Sequence, residues 1–136
     1  MKKLNCHTRR FASGLVCLHS SDDGSKSVEE QLRNASGFGA FGFAIVFFSK
    51  ACCNDDDVVG LMKDSAPGLR YAACSTAGEL TPNGLDEGQM IVLLFPIGTF
   101  NLAARSLATI RDSGMDRVVE QVRQFKTDFL ARNNGG

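Results

Sequence analysis

Residues 41–49 read FGFAIVFFS, nine positions with almost no polar side chain among them. A strand with one wet face alternates apolar and polar residues, and this run does not. Its pattern predicts a central strand covered on both faces, as in a parallel sheet. The flanking segments agree. Upstream, Val28, Gln31, Leu32 and Ala35 fall at helical spacing, with Ser25 or Ser27 placed to cap and Glu29 and Glu30 in the first turn. Downstream, Asn54 is placed to cap a second helix that opens on Asp55, Asp56 and Asp57. Val58, Leu61 and Met62 form its inner face, and Pro67-Gly68 stops it.

Further out, Tyr71–Cys74 reads as a short buried strand and Met90–Phe95 as a longer one. TPNGLDEG, residues 81–88, is a loop or hairpin connection with its turn at Asn83-Gly84. FASGLVCLH, from Phe11, reads as the first strand, preceded by a polar, disordered stretch over residues 1–9. Phe100–Ile110 alternates at Phe100, Leu102 and Ala104 and also fits a helix; the hairpin-like Pro96–Gly98 before it favours a strand. Met115, Val118, Val119, Val122, Phe125 and Phe129 follow the 3.6-residue period, with Ser113 to cap and Asn133–Gly136 to terminate. The expectation is an α/β fold: a two-layer or three-layer-like sheet with flanking helices, parallel in its first half and mixed afterwards, in one domain over residues 10–132.

A chain of 136 residues can bury a real core in a single domain. Fifteen Lys and Arg balance fifteen Asp and Glu, so no net field attracts a polyanion, and nucleic-acid binding has no support. Five cysteines, an odd number with two adjacent, do not form a disulfide framework, and no CxxC pair is present to hold zinc. Reduced thiols, an N-terminus without a signal-like apolar run, and no run of spanning length predict a soluble cytoplasmic protein with no membrane segment.

Three motif matches fail on mechanism. Gly37-Phe38-Gly39-Ala40-Phe41-Gly42 matches GxGxxG, but it leads into a strand, whereas the dinucleotide fingerprint leaves a strand and opens a helix. Gly24-Ser25-Lys26-Ser27 lacks the spacing of a phosphate loop. The acid run after Asn54 lacks the glycine and distal glutamate of a calcium loop. Cys74-Ser75 has the residue types of a nucleophile, but the two imidazoles, His7 and His19, are both near the N-terminus, so no catalytic residues are assigned.

The same segment suits a binding loop. Ligands of open α/β sheets sit beyond the carboxyl ends of strands, where Ser75, Thr76, Ala77 and Gly78 fall. Small side chains expose backbone N–H groups, Ser75 and Thr76 add hydroxyls, and Glu79 is placed to grip an amine or a hydroxyl. A tight turn in which the hydroxyls merely satisfy backbone groups is the competing reading.

A strand ending FFS, an acid-opened helix, Pro-Gly, YAACSTAGEL and then MIVLLF together resemble the N-terminal domain of the F-box and intracellular signal transduction (FIST) family. The resemblance runs from about Val16 to Ile110 and centres on Cys74-Ser75-Thr76-Ala77-Gly78-Glu79. It implies a sensory domain of bacterial signal transduction that binds a small polar ligand such as an amino acid, and not an enzyme. Partners implied are a histidine kinase or a C-terminal FIST domain. Some members are haem-containing nitric oxide sensors, which makes haem the one cofactor to weigh, with His7 and His19 as its only imidazoles. Ala73 stands where the family usually has glycine, and family members continue into a second domain. The alternatives are an interaction fragment that binds no ligand, and a cysteine-dependent enzyme or redox sensor.

Overall fold

The apolar run at 41–49 is the strand β4, and it lies inside a sheet of six. In the computed structural model, which describes residues 3–35, 39–76, 79–81, 84–86, 88–105 and 110–133, the elements are β1 (Asn5–Arg10), β2 (Val16–Ser20), β3 (Lys26–Ser27), α1 (Val28–Asn34), β4 (Phe41–Ser49), α2 (Asp55–Ser65), β5 (Tyr71–Thr76), β6 (Glu79–Thr81), β7 (Gly84–Asp86), β8 (Met90–Pro96), α3 (Ile110–Ser113) and α4 (Met115–Asn133). They fall into two compact units, divided after Phe100.

In the first unit the sheet order is β3-β1-β2-β8-β4-β5, and β6 and β7 form a separate hairpin. The α/β class holds, and the sheet is mixed. β8 runs antiparallel to both β2 and β4, while β5 is parallel to β4. The early strands β2, β4 and β5 therefore all point one way, as the sequence order implies. β8 has slid between two of them, so the one parallel pair is β4 with β5.

Alternation along β2, β4 and β8 places Val16, Leu18, Ala44, Val46, Phe48, Met90, Val92 and Leu94 in one buried cluster with Val28 and Leu32 of α1 and Val58, Leu61 and Met62 of α2. The opposite face carries Cys17, Ile45, Phe47, Ile91 and Leu93, all half-buried. Both helix starts follow their caps. The Ser27 hydroxyl accepts from the Glu30 N–H. Asn54 and Asp57 form a reciprocal capping box at 2.8 and 2.9 Å.

Where the β2–β8 ladder ends, a side chain extends it. The buried Ser20 hydroxyl accepts from the Met90 N–H at 2.6 Å and donates to the Gln89 side-chain carbonyl at 3.1 Å. Ser20→Ala leaves that buried N–H without its partner, and the expected loss is about 1–3 kcal/mol in urea unfolding. A midpoint unchanged from wild type would contradict the bond's structural role.

Four sequence expectations are corrected. Residues 5–9, read as part of a disordered terminus over residues 1–9, form β1 together with Arg10, held by β2 and β3 on either side. The first strand begins at Val16, because Phe11–Gly14 is the β1–β2 turn, closed by Gly14 N–H to Phe11 O at 2.9 Å. Tyr71–Cys74 is the sheet's outer strand, with Ala72, Ala73 and Cys74 exposed, since β8 has taken the interior position beside β4. Of the strand expected over Phe100–Ile110, residues 101–105 are not strand and 106–109 lie outside the described residues: Gly98, at φ +91°, turns the chain, and the Phe100 ring folds back edge-on to Phe95 with centroids 5.3 Å apart.

In the second unit, Ser113, expected just before the last helix, is the last residue of α3, and Gly114 at φ +77° stands between α3 and α4. α4 has the apolar stripe expected of it, but no residue of α4 is buried. Within this unit Arg105 stacks on the Phe125 ring at 5.4 Å. Among the described residues, no helix is long and apolar enough to cross a membrane.

Candidate functional site

The β4–α2–β5 unit positions the segment singled out by sequence. β4 ends at the buried Ser49, whose hydroxyl accepts from the Ala51 N–H and whose carbonyl accepts from the Cys52 N–H and thiol. This tight turn delivers Asn54 to the helix start. α2 then runs back along the sheet, so its first turn lies beside the carboxyl end of β5. Parallel register pairs Val46 with Ala73 and Phe48 with Ser75. Tyr71, Ala73 and Ser75 thus share the α2-covered face, while Ala72, Cys74 and Thr76 take the other.

Because β5 is the outer strand, α2 does not close over it, and a cleft of about 390 Å³ remains between them. Phe48, Val58 and Val59 form its apolar floor and wall, and Ser75, Tyr71 and Asp55 bring the polar groups. Asp55 is exposed, as the first residue of α2. A carboxylate, a hydroxyl and a phenol around an apolar floor form an acceptor-rich pocket, suited to an amine or a polyhydroxyl ligand.

The predicted site residues divide. Ser75, on the α2 face, lines the cleft, and Cys74 borders it with its side chain on the opposite face of the strand. Thr76 ends the strand, its hydroxyl donating to the Phe48 carbonyl at 3.4 Å. Ala77 and Gly78 lie outside the described residues, and Glu79 is described through its backbone, where it opens β6 opposite Asp86. Asp55 and Tyr71 were missed. The signal for Asp55 was the parallel β4–α2–β5 pattern, which sets a helix start beside a strand end; its capping role concealed it. Among the described residues no group of three potential ligands is assembled for a metal ion.

With the geometry in view, a family model matches residues 42–133, the FIST N domain. The chain belongs to the FIST family. Neither the curated proteins nor the solved structures gave a match. The match to the FIST N domain starts at Gly42, so it takes in the β4–α2–β5 unit and the cleft, while β1 to α1 precede it. It also extends past Ile110, where the sequence resemblance ended, through α4.

The fit to haem is poor in one respect. His7 and His19 are register partners on adjacent strands, so their side chains leave the same face of the sheet. Two such imidazoles cannot sit on opposite sides of one porphyrin. Nor do they serve Cys74 as a base, since β2 and β5 are separated by β8 and β4, three inter-strand spacings or roughly 14 Å.

The thiols of this FIST N domain differ sharply in environment. Burial, then the neighbouring Cys52 thiol, pushes Cys53 up to about 12. Burial, then Cys17, pushes Cys6 up to about 11. Cys74 is exposed. Brief alkylation with iodoacetamide at pH 8 should therefore modify Cys74 well before Cys6 or Cys53, which react only after unfolding. Peptide mass spectrometry reads the order, and early labelling of Cys53 would refute it.

Proposed function

We propose that this FIST N domain is a cytoplasmic sensory module of signal transduction that takes an amino acid or similar small polar ligand in the cleft between β5 and α2. The observation that carries the reading is the convergence of the Cys74–Ser75 end of the family hallmark with Asp55 on one apolar-floored cleft. The ligand's amine lies at the Asp55 carboxylate, and Ser75 and Tyr71 supply hydrogen bonds. Glu79, from the same hallmark segment, is the second acid assigned to the ligand, and Ala77 and Gly78 are assigned to it with Glu79. The module senses and does not catalyse, in keeping with the distance between Cys74 and the imidazoles. Its occupied state passes to a histidine kinase or a C-terminal FIST domain, for which the exposed stripe of α4 is a candidate transmitter.

Thermal-shift titration against the twenty amino acids tests this, because a ligand of the native state alone raises the melting temperature. At least one amino acid should raise it, and Asp55→Ala and Ser75→Ala should each remove the shift while Glu79→Ala weakens it. A flat panel, or a shift that survives Asp55→Ala, would refute the cleft as the site. Haem addition is the parallel arm: a Soret band lost in His7→Ala or His19→Ala would assign the sensing to haem.

A second reading rests on the exposed outer strand β5 and on Val119 and Val122 of α4, exposed at 46% and 47%. In it the chain is an interaction fragment that binds no ligand, and self-association rising with concentration in the absence of any amino acid would favour it.

A further inference from the structure

The chain holds two histidines, and the fold places them side by side. His7 on β1 and His19 on β2 are direct partners in an antiparallel ladder. Directly opposed residues bring their Cβ atoms to about 5 Å on one face of the sheet, within the span over which two imidazoles chelate one ion. The His7 ring is also oriented: its Nε2 lies 2.9 Å from the Asp23 carboxylate, which leaves Nδ1 for a ligand. A carboxylate on one nitrogen of a metal-binding histidine is the arrangement that fixes ring orientation and raises basicity. Asp23 itself is held by the Ser21 hydroxyl. Beyond His19 the neighbouring strand offers Ile91, an apolar flank that lowers the local dielectric. Arg9, two residues along β1 from His7, is stacked over the Phe11 ring at 4.9 Å.

We propose that His7 and His19 form a cross-strand chelate for a divalent transition metal of the zinc, nickel and copper group, with Asp23 as the positioning residue for His7. Two imidazoles and bound water complete the coordination, since no third ligating side chain joins them among the described residues. Imidazole pairs select these borderline metals over magnesium and calcium, which prefer oxygen. The pair lies on β1 and β2, away from the β5 cleft and before the segment that matches the family model. The same geometry that prevents the pair from sandwiching a porphyrin suits a single ion held from one side.

The test uses the full chain without a polyhistidine tag, titrated with zinc chloride and followed by NMR of the imidazole C–H protons. With two histidines present, both rings can be assigned by single substitution. Zinc should shift both sets of resonances together at one-to-one stoichiometry, and magnesium should shift neither. His7→Ala and His19→Ala should each weaken binding at least ten-fold, and Asp23→Asn several-fold. Cys17→Ser and Cys52→Ser should leave the affinity unchanged. Circular dichroism confirms that each variant is folded. Unmoved imidazole resonances at 1 mM zinc (on the order of the weakest affinity expected of a two-ligand site) would overturn the proposal. So would single-histidine variants that bind as tightly as wild type, which would place the metal on the thiols.

Discussion

Gly24→Ala is expected to lose about 3 kcal/mol of stability, at the upper end of what overpacking costs. A Cβ at position 24 would stand 2.4 Å from the Cys6 nitrogen and 2.7 Å from its carbonyl carbon and oxygen. These are backbone atoms, so no side chain can swing aside. Nor can β1 retreat, because Cys6 pairs with Ser20 on one side and Lys26 on the other, and its side chain is fully buried. The turn closed by Gly24 N–H to Ser21 O must open instead. In a chain of this size the loss corresponds to a fall of about 10 °C in melting temperature. Gly60→Ala is the control. That glycine lies inside α2, and an added Cβ meets nothing within 4 Å, so alanine should stabilise by about 0.5–1 kcal/mol. Equal effects at the two positions would contradict the close approach of the Gly24 turn to β1.

Val46→Asp should abolish folding. Val46 has no exposed surface and sits mid-strand, opposite Val92 on β8 and Ala73 on β5, beneath the α2 residues Val58 and Met62 in the same cluster. An ionised carboxylate there has no cation in the core among the described residues, and burying one unpaired costs several kcal/mol or forces it to stay protonated. Total stability for a domain of this kind is about 5–15 kcal/mol, and the lost valine packing adds to the deficit. Far-UV circular dichroism and amide-proton dispersion should show an unfolded chain, with Val46→Ile retaining the fold. A cooperative transition in the aspartate variant near the wild-type midpoint would mean that β4 is not central.

What could be read from sequence was whatever declares itself locally. The uninterrupted apolar run of β4 gave its interior position, and the choice of Ser25 or Ser27, settled at Ser27 by the structure, and Asn54 gave the helix starts, because caps act within one turn. β1 was hidden because Cys6 is its one buried residue; backbone pairing, which leaves no compositional mark, makes it a strand. The place of β8 between β2 and β4 was equally invisible, since pairing across such distances has no local signature. The exposure of β5 was misread because alanine and cysteine serve both tight cores and bare edges. At the candidate site, Ser75 followed from the strand-end rule for α/β sheets. Asp55 did not, because three acids at a helix start are fully accounted for by capping.

The late insertion of β8 has a consequence in time. Met90 and Ser20, joined across β2 and β8, lie 70 residues apart in the chain. Until β8 has left the ribosome, the β1–β2 hairpin and the β4–α2–β5 unit have no strand between them, and each keeps an apolar face and a raw edge in solvent. Closure of so long a loop is slow, and half-sheets that wait for a shared strand are prone to pair with the wrong chain. Synthesis of this protein therefore passes through a vulnerable interval that ends only when β8 arrives, and a chaperone that shields open sheet edges would have its effect there.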